Sequence, residues 1–139
     1  MNGELSVYIL DSFAVLALLE GESSAAHVQA ILKTAEQHMV RVYLSLINLG
    51  EVLYITERER GLILAQKTLA AIEQLPLEIL PVTREHVLAA AHLKAHFPIS
   101  YADAFAVAVA QELQGTLITG DPEFTKVENL IRVEWLAQE

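Results

Sequence analysis

Of the 18 acidic residues in this chain only three are aspartates, Asp11, Asp103 and Asp121, and each stands where a modest structural role is available. Asp103 follows Ser100 by three residues, the spacing of a capping box. Asp11 precedes Ser12 at a predicted helix start, and Asp121 precedes Pro122, a good N-cap with proline at the first helical position. Capping leaves two features unexplained. Residues 104–110 are all apolar, so the helix carrying Asp103 reads as buried on most sides, where an ionised carboxylate is costly unless paired. Glu51 caps nothing: it lies mid-helix among Ile47, Asn48, Tyr54 and Ile55, a largely apolar face that Asn48 shares. Carboxylates gathered at one place demand an opposite charge, and a metal ion can reverse the sign of such a pocket.

Whether they gather depends on the elements that carry them. Short apolar runs at 6–10, 42–44, 77–80, 116–119 and 131–135 predict five strands. Helices are predicted over 13–19, from Ser23 or Ser24 toward Lys33 and Glu36, over 46–60 closing at Gly61, and over 62–74 before Pro76. Two more follow: one from Thr83 to His96, stopped by Pro98, and one over 100–113, with Gly115 in the usual place after a C-cap. Strands alternating with helices predict an α/β fold, a three-layer α/β/α sandwich around a mostly parallel five-stranded sheet with right-handed crossovers. The first and fourth strands are the most apolar and belong in the middle; the third and fifth alternate and belong at the edges. The expected order is therefore 3-2-1-4-5. Asp11 then ends strand one and Asp121 follows strand four, so both fall on the carboxyl edge, where open α/β sheets bind ligands.

Composition narrows the classes. At 139 residues the chain fits one domain with its own core, and 53 % hydrophobic against 19 % charged residues excludes a disordered acidic protein. No cysteine is present, which removes disulfides, thiolate metal sites and cysteine nucleophiles and permits a reducing, cytoplasmic setting. No Lys or Arg precedes Lys33, against a secretory signal, and the longest apolar runs, 13–19 and 104–110, fall far below the ~18 residues that span a bilayer. No membrane association is expected. His92 and His96 share a helix face, but Leu93 stands where a His-Glu-x-x-His motif needs its Glu, and two histidines make half a zinc site. Exposed histidines near a helix C-terminus are the simpler reading. A net charge of −9 counts against nonspecific nucleic-acid binding, unless a metal changes the local sign.

Four pieces carry a family resemblance: Val7-Tyr8-Ile9-Leu10-Asp11-Ser12, Asn48-Leu49-Gly50-Glu51, Tyr101-Ala102-Asp103-Ala104 and Thr119-Gly120-Asp121-Pro122-Glu123-Phe124. In order and spacing the whole chain resembles a PIN domain, and among PIN domains the VapC-type toxin ribonucleases of toxin–antitoxin pairs. The resemblance implies a metal-dependent endoribonuclease in which Asp11, Glu51, Asp103 and Asp121 form an acidic pocket for Mg²⁺ or Mn²⁺. An all-oxygen ligand set agrees with those ions better than with zinc. In that reading Asp11 and Asp103 are direct or water-mediated ligands, Glu51 helps hold the attacking water, and Asp121 completes the pocket or positions a second ion. Ser12 and Thr119 are candidate hydroxyls for orienting a ligand or phosphate, or else turn and cap hydroxyls, and Asn48 is a supporting group. Arg58, Arg60 and Lys67 are candidate RNA contacts, or else solvated helix positions. The resemblance also implies a VapB-like antitoxin over the groove and a homodimer; Leu62, Ile63 and Leu64 offer apolar surface for a partner.

Two rivals come from other classes. A phospho-accepting receiver domain needs an acid pair at strand one, an acceptor Asp after strand three and a Lys after strand five. This chain has Asp11-Ser12, Pro81-Val82-Thr83 and Leu136-Ala137-Gln138-Glu139 at those places, so that reading fails. A catalytically silent PIN-fold module that binds RNA or protein remains the alternative.

Overall fold

Alternation along the strands sets the layers. In a computed structural model, which describes residues 5–137, β1 (Ser6–Leu10), β2 (Val40–Ser45), β3 (Glu78–Leu80), β4 (Thr116–Thr119) and β5 (Arg132–Trp135) form one sheet in the order β3-β2-β1-β4-β5. Every pairing is parallel. Ile9 and Leu117 face one side and pack with α5 (Arg84–His96) and α6 (Tyr101–Leu113). Leu10 and Ile118, one residue on, face the other side and pack with α1 (Ser12–Leu19), α2 (Ala25–Glu36) and α3 (Leu46–Arg60). A helix α4 (Leu62–Glu73) adds Ile72 to that second core. The three-layer α/β/α sandwich with the expected strand order is therefore the fold of this chain.

The differences from expectation are local. β2 runs from Val40 to Ser45, longer than 42–44, because Val40 to Leu44 pair with β1 and Ser45 pairs with Leu80 of β3. β3 and β5 each begin one residue late. Gly115 follows the α6 cap as expected, but the left-handed residue is Gln114 (φ 53°), which closes the helix onto the Ala110 carbonyl. Gly115 answers a different need. A Cβ there would run into the Ile9 side chain and lie 2.9 Å from Val7 Cγ1 and 3.1 Å from the Val7 carbonyl, so the β4 entry packs on β1 only without a side chain.

The apolar stretch is buried as expected: Ala104 to Ala110 are all core residues on α6. Such a helix cannot slide or rotate without exposing apolar surface, so its first turn is a rigid mount.

Candidate active site

Asp11 is the N-cap of α1 and closes β1, so its position follows from the strand–helix junction that the sequence encodes. Its Oδ1 accepts the Ala14 N–H at 2.8 Å, and its Oδ2 accepts the hydroxyl of Thr119, the last residue of β4. Thr119 Oγ1 in turn accepts the Asp121 N–H at 3.0 Å. Asp121 caps the 3₁₀ helix Pro122–Val127 with Oδ1 on the Glu123 N–H at 2.9 Å. Both aspartates are thus true caps, as their sequence context allowed, and both stand on the carboxyl edge of the sheet.

Asp103 lies in the first turn of α6 and is buried, with its N–H donating to Ser100 Oγ at 3.0 Å. Glu51, half-buried on α3, receives the Ser12 hydroxyl at 2.5 Å. Asn48, one turn earlier, is fully buried and donates through Nδ2 to Ser12 Oγ and to the Ala102 carbonyl, each at 3.3 Å. Four stretches far apart in sequence therefore contribute carboxylates whose charges act on Asp11 or Asp103. The Thr119 hydroxyl binds Asp11, and the Ser12 hydroxyl lies nearest Glu51, with the Asn48 main-chain carbonyl as a second acceptor at 3.2 Å.

Electrostatics records the convergence. Burial pushes the Asp11 carboxyl up to about 7, opposed by the hydrogen bonds from Thr119 and Ala14 and assisted by the charges of Asp103 and Asp121. Burial also pushes Asp103 up to about 6, with Asp121, Glu51 and Glu123 adding repulsion and the Ser100 hydroxyl working against them. Glu123 is a fifth acid that its sequence context did not single out. It sits two residues past Asp121 and is held by Lys126 Nζ at 3.1 and 3.2 Å, which also donates to the Pro98 carbonyl at 3.2 Å. A Glu and a Lys three apart just after Pro122 was the available signal.

The donor set is wholly oxygen, which suits a hard divalent cation. Among the described residues no group of three or more His, Asp or Glu side chains is arranged to hold a metal ion. The raised Asp11 and Asp103 carboxyls are what a bound cation would relieve.

The basic candidates lie elsewhere. Arg58 stacks over the Tyr54 ring, 5.5 Å from its centroid, and stands 3.8 Å from Glu59. Arg60 and Lys67 line a groove of about 230 Å³ between α1, α3 and α4, floored by Leu16, Ile55 and Leu64. His92 and His96 stack edge to face on the surface of α5 with ring centroids 4.6 Å apart. Among the described residues, no helix is long and apolar enough to cross a membrane.

A family model described as the PIN domain matches residues 8–130. No curated protein matches the chain. Among solved structures, VapBC2 from Rickettsia felis bound to a DNA fragment from its promoter has a TM-score of 0.72 at 20% identity, over 94% of this chain and 99% of that one. DNA-bound VapBC from Salmonella typhimurium has a TM-score of 0.69 at 18% identity, over 94% and 98% of the two chains. VapC20 from Mycobacterium tuberculosis, described as a sarcin-ricin loop cleaving toxin, has a TM-score of 0.69 at 18% identity, over 88% and 95%.

Proposed function

This chain belongs to the PIN domain family, and from that membership and its sheet-edge carboxylates we propose that it is a metal-dependent endoribonuclease, the toxin of a toxin–antitoxin pair. The observation that carries the reading is the link from Asp11 through Thr119 to Asp121 at the sheet edge, beside buried Asp103, with the Asp11 and Asp103 carboxyls raised by burial and by neighbouring acidic charge. Such mutual repulsion is tolerated in a fold when a cation is the intended occupant. The likeness to a toxin that cleaves the sarcin-ricin loop supports RNA as the substrate.

Asp11 and Asp103 are the ligands for Mg²⁺ or Mn²⁺ in this reading, with Asp121 completing the pocket. When bound, the ion would activate water and neutralise charge building on the phosphate oxygens. In this reading Glu51 would help hold the attacking water and receive its proton; the Ser12 contact to one carboxylate oxygen, which leaves the other free of it, supports that role. Thr119 and Ala14 hold Asp11 in one rotamer, so the pocket is set before substrate arrives.

The groove between α1, α3 and α4 is the proposed seat of a VapB-like antitoxin. It joins an apolar floor to the cations Arg60 and Lys67 and to the carboxylates Glu20 and Glu59, and Ile63 on α4 is 71% exposed. Antitoxin complexes among the structural neighbours support this partner. A homodimer completes the proposed assembly.

Purified protein incubated with RNA and Mg²⁺ or Mn²⁺ tests the activity, beside Asp103→Asn. Cleavage that needs the ion and is lost in the variant is expected. Cleavage that survives EDTA, or that is equal in both proteins, rejects the site, and no cleavage under any ion leaves a PIN-fold binding module.

A further inference from the structure

We infer that Asn48 is a positioning residue of this site, whose side-chain amide sets the spacing between the Ser12–Glu51 pair and the helix that carries Asp103. The role deepens the ribonuclease reading and rests on it for its effect on rate.

Asn48 lies in the first turn of α3 and is 0 % exposed. Its two acceptors belong to the first turns of two other helices: Ser12 Oγ on α1 and the Ala102 carbonyl on α6, each 3.3 Å from Nδ2. Ser12 directly follows Asp11, and Ala102 directly precedes Asp103. One planar group thus gauges the distance between the helix ends on which three of the four acids depend.

The chemistry of the Ala102 carbonyl fixes the orientation of the amide. A carbonyl only accepts, so Ala102 dictates which end of the amide is nitrogen. The second N–H then fills a lone pair on the Ser12 oxygen, whose single proton faces two acceptors, the Asn48 main-chain carbonyl at 3.2 Å and Glu51 Oε1 at 2.5 Å; the shorter, charge-assisted contact to Glu51 is the stronger of the two. The order is Asn48 to Ser12 to Glu51.

The same side chain carries a cost that packing would not incur. Asn48 Oδ1 is buried and meets no donor among the described residues. An unsatisfied buried amide oxygen disfavours the fold, whereas a leucine of similar size fills the space without it. The two N–H bonds, then, account for an amide at this position.

Asn48→Leu and Asn48→Ala, each with Ser12→Ala and the corresponding double variants, test the role once melting curves show that they fold. In Mn²⁺-dependent RNA cleavage, Asn48→Leu is expected to lower kcat roughly 10- to 100-fold, as loss of an orienting partner does, with KM for RNA unchanged. The Asn48→Leu/Ser12→Ala pair should lose less than the product of the single losses, because both changes release Glu51. Multiplying losses, or an effect confined to KM, overturn the role. The ¹³C shift of the Glu51 carboxyl, read without metal or substrate, should move in Asn48→Ala in the same direction as in Ser12→Ala. A Glu51 signal unmoved by Asn48→Ala overturns it too. Should the unaltered protein cleave no RNA, the ribonuclease reading fails while the carboxyl shift still decides what Asn48 does.

Discussion

The Thr119 hydroxyl binds the carboxylate of Asp11, 108 residues away in sequence, and the same oxygen accepts the N–H of Asp121 at 3.0 Å. One side chain therefore joins the aspartate after β1 to the aspartate after β4. Thr119→Val keeps the shape and removes the bond, leaving Asp11 Oδ2 and the Asp121 N–H unpaired at a buried place. A loss of about 1–3 kcal/mol in unfolding free energy is expected, with cleavage falling roughly 10- to 100-fold. Thr119→Ser, which restores the hydroxyl, should recover most of both. Denaturant unfolding and initial rates with Mn²⁺ measure the two effects, and equal rates in the Val and Ser variants would show that the hydroxyl does not hold Asp11.

The raised carboxyls give the metal-free protein an unusual response to pH. Asp11 stands at about 7 and Asp103 at about 6, against 3.8 for both in their ordinary state. Between those limits the folded chain binds protons that the unfolded chain has released, so these two groups make stability fall as pH rises from about 4 to about 7. Summed over that range, Asp11 alone, fully buried, contributes on the order of a few kcal/mol to the fall. Thermal melts in EDTA should show Asp11→Asn most stabilised relative to the unaltered chain above about pH 7, with the difference narrowing on acidification. Mn²⁺ should raise the melting temperature more at about pH 8 than at about pH 6, because the ion binds the ionised form. A pH-independent gap between the two proteins contradicts the buried, protonated Asp11.

Much of this arrangement is legible in the sequence because it rests on local pattern. The polarity of the strands gives the order β3-β2-β1-β4-β5, and the positions of Asp11 and Asp121 after apolar strands give their common edge. What is hidden depends on approaches between distant segments. Gly115 reads as a cap glycine until Ile9 and Val7 are placed beside it, and Thr119 reads as a strand end until Asp11 lies across from it. Asn48 shows its second acceptor, Ala102, only when α3 and α6 cross. Arg60 and Lys67 were readable as cations on helices, but only the closure of α1 on α3 and α4 reveals that they line an apolar groove.

That groove predicts a division of labour between binding and cleavage. Arg60→Glu with Lys67→Glu reverses two rim charges and leaves the floor of Leu16, Ile55 and Leu64 intact. If the groove seats the antitoxin, the complex weakens by about 1 kcal/mol per charge, mainly through slower association, and its salt dependence changes. The KM for RNA should hold steady. Stopped-flow association with the antitoxin and steady-state cleavage separate the two, and a raised KM with unaltered antitoxin binding would return these cations to substrate capture.

Gly120 stands between Thr119 and Asp121, and a Cβ at that position would press into the Phe13 ring, within 2.7 Å of Cζ. Phe13 belongs to the first turn of α1, whose N-cap is Asp11, so the two sides of the site meet at this contact. In Gly120→Ala either the ring or the 119–121 backbone must yield, and overpacking of this kind costs about 1–3 kcal/mol. The backbone is the element that bears function: moving it lengthens the Thr119–Asp11 bond and swings Asp121 out of place. Activity should therefore fall further than stability explains, by roughly 10- to 100-fold, the effect of a misplacement on the order of 1 Å. Phe13→Leu in the same chain removes the obstructing ring edge and should restore cleavage while leaving stability below the starting value. Without that recovery, the loss comes from the new methyl group itself and not from displacement of the carboxylates, since relief of the ring contact restores the path of the backbone between Thr119 and Asp121.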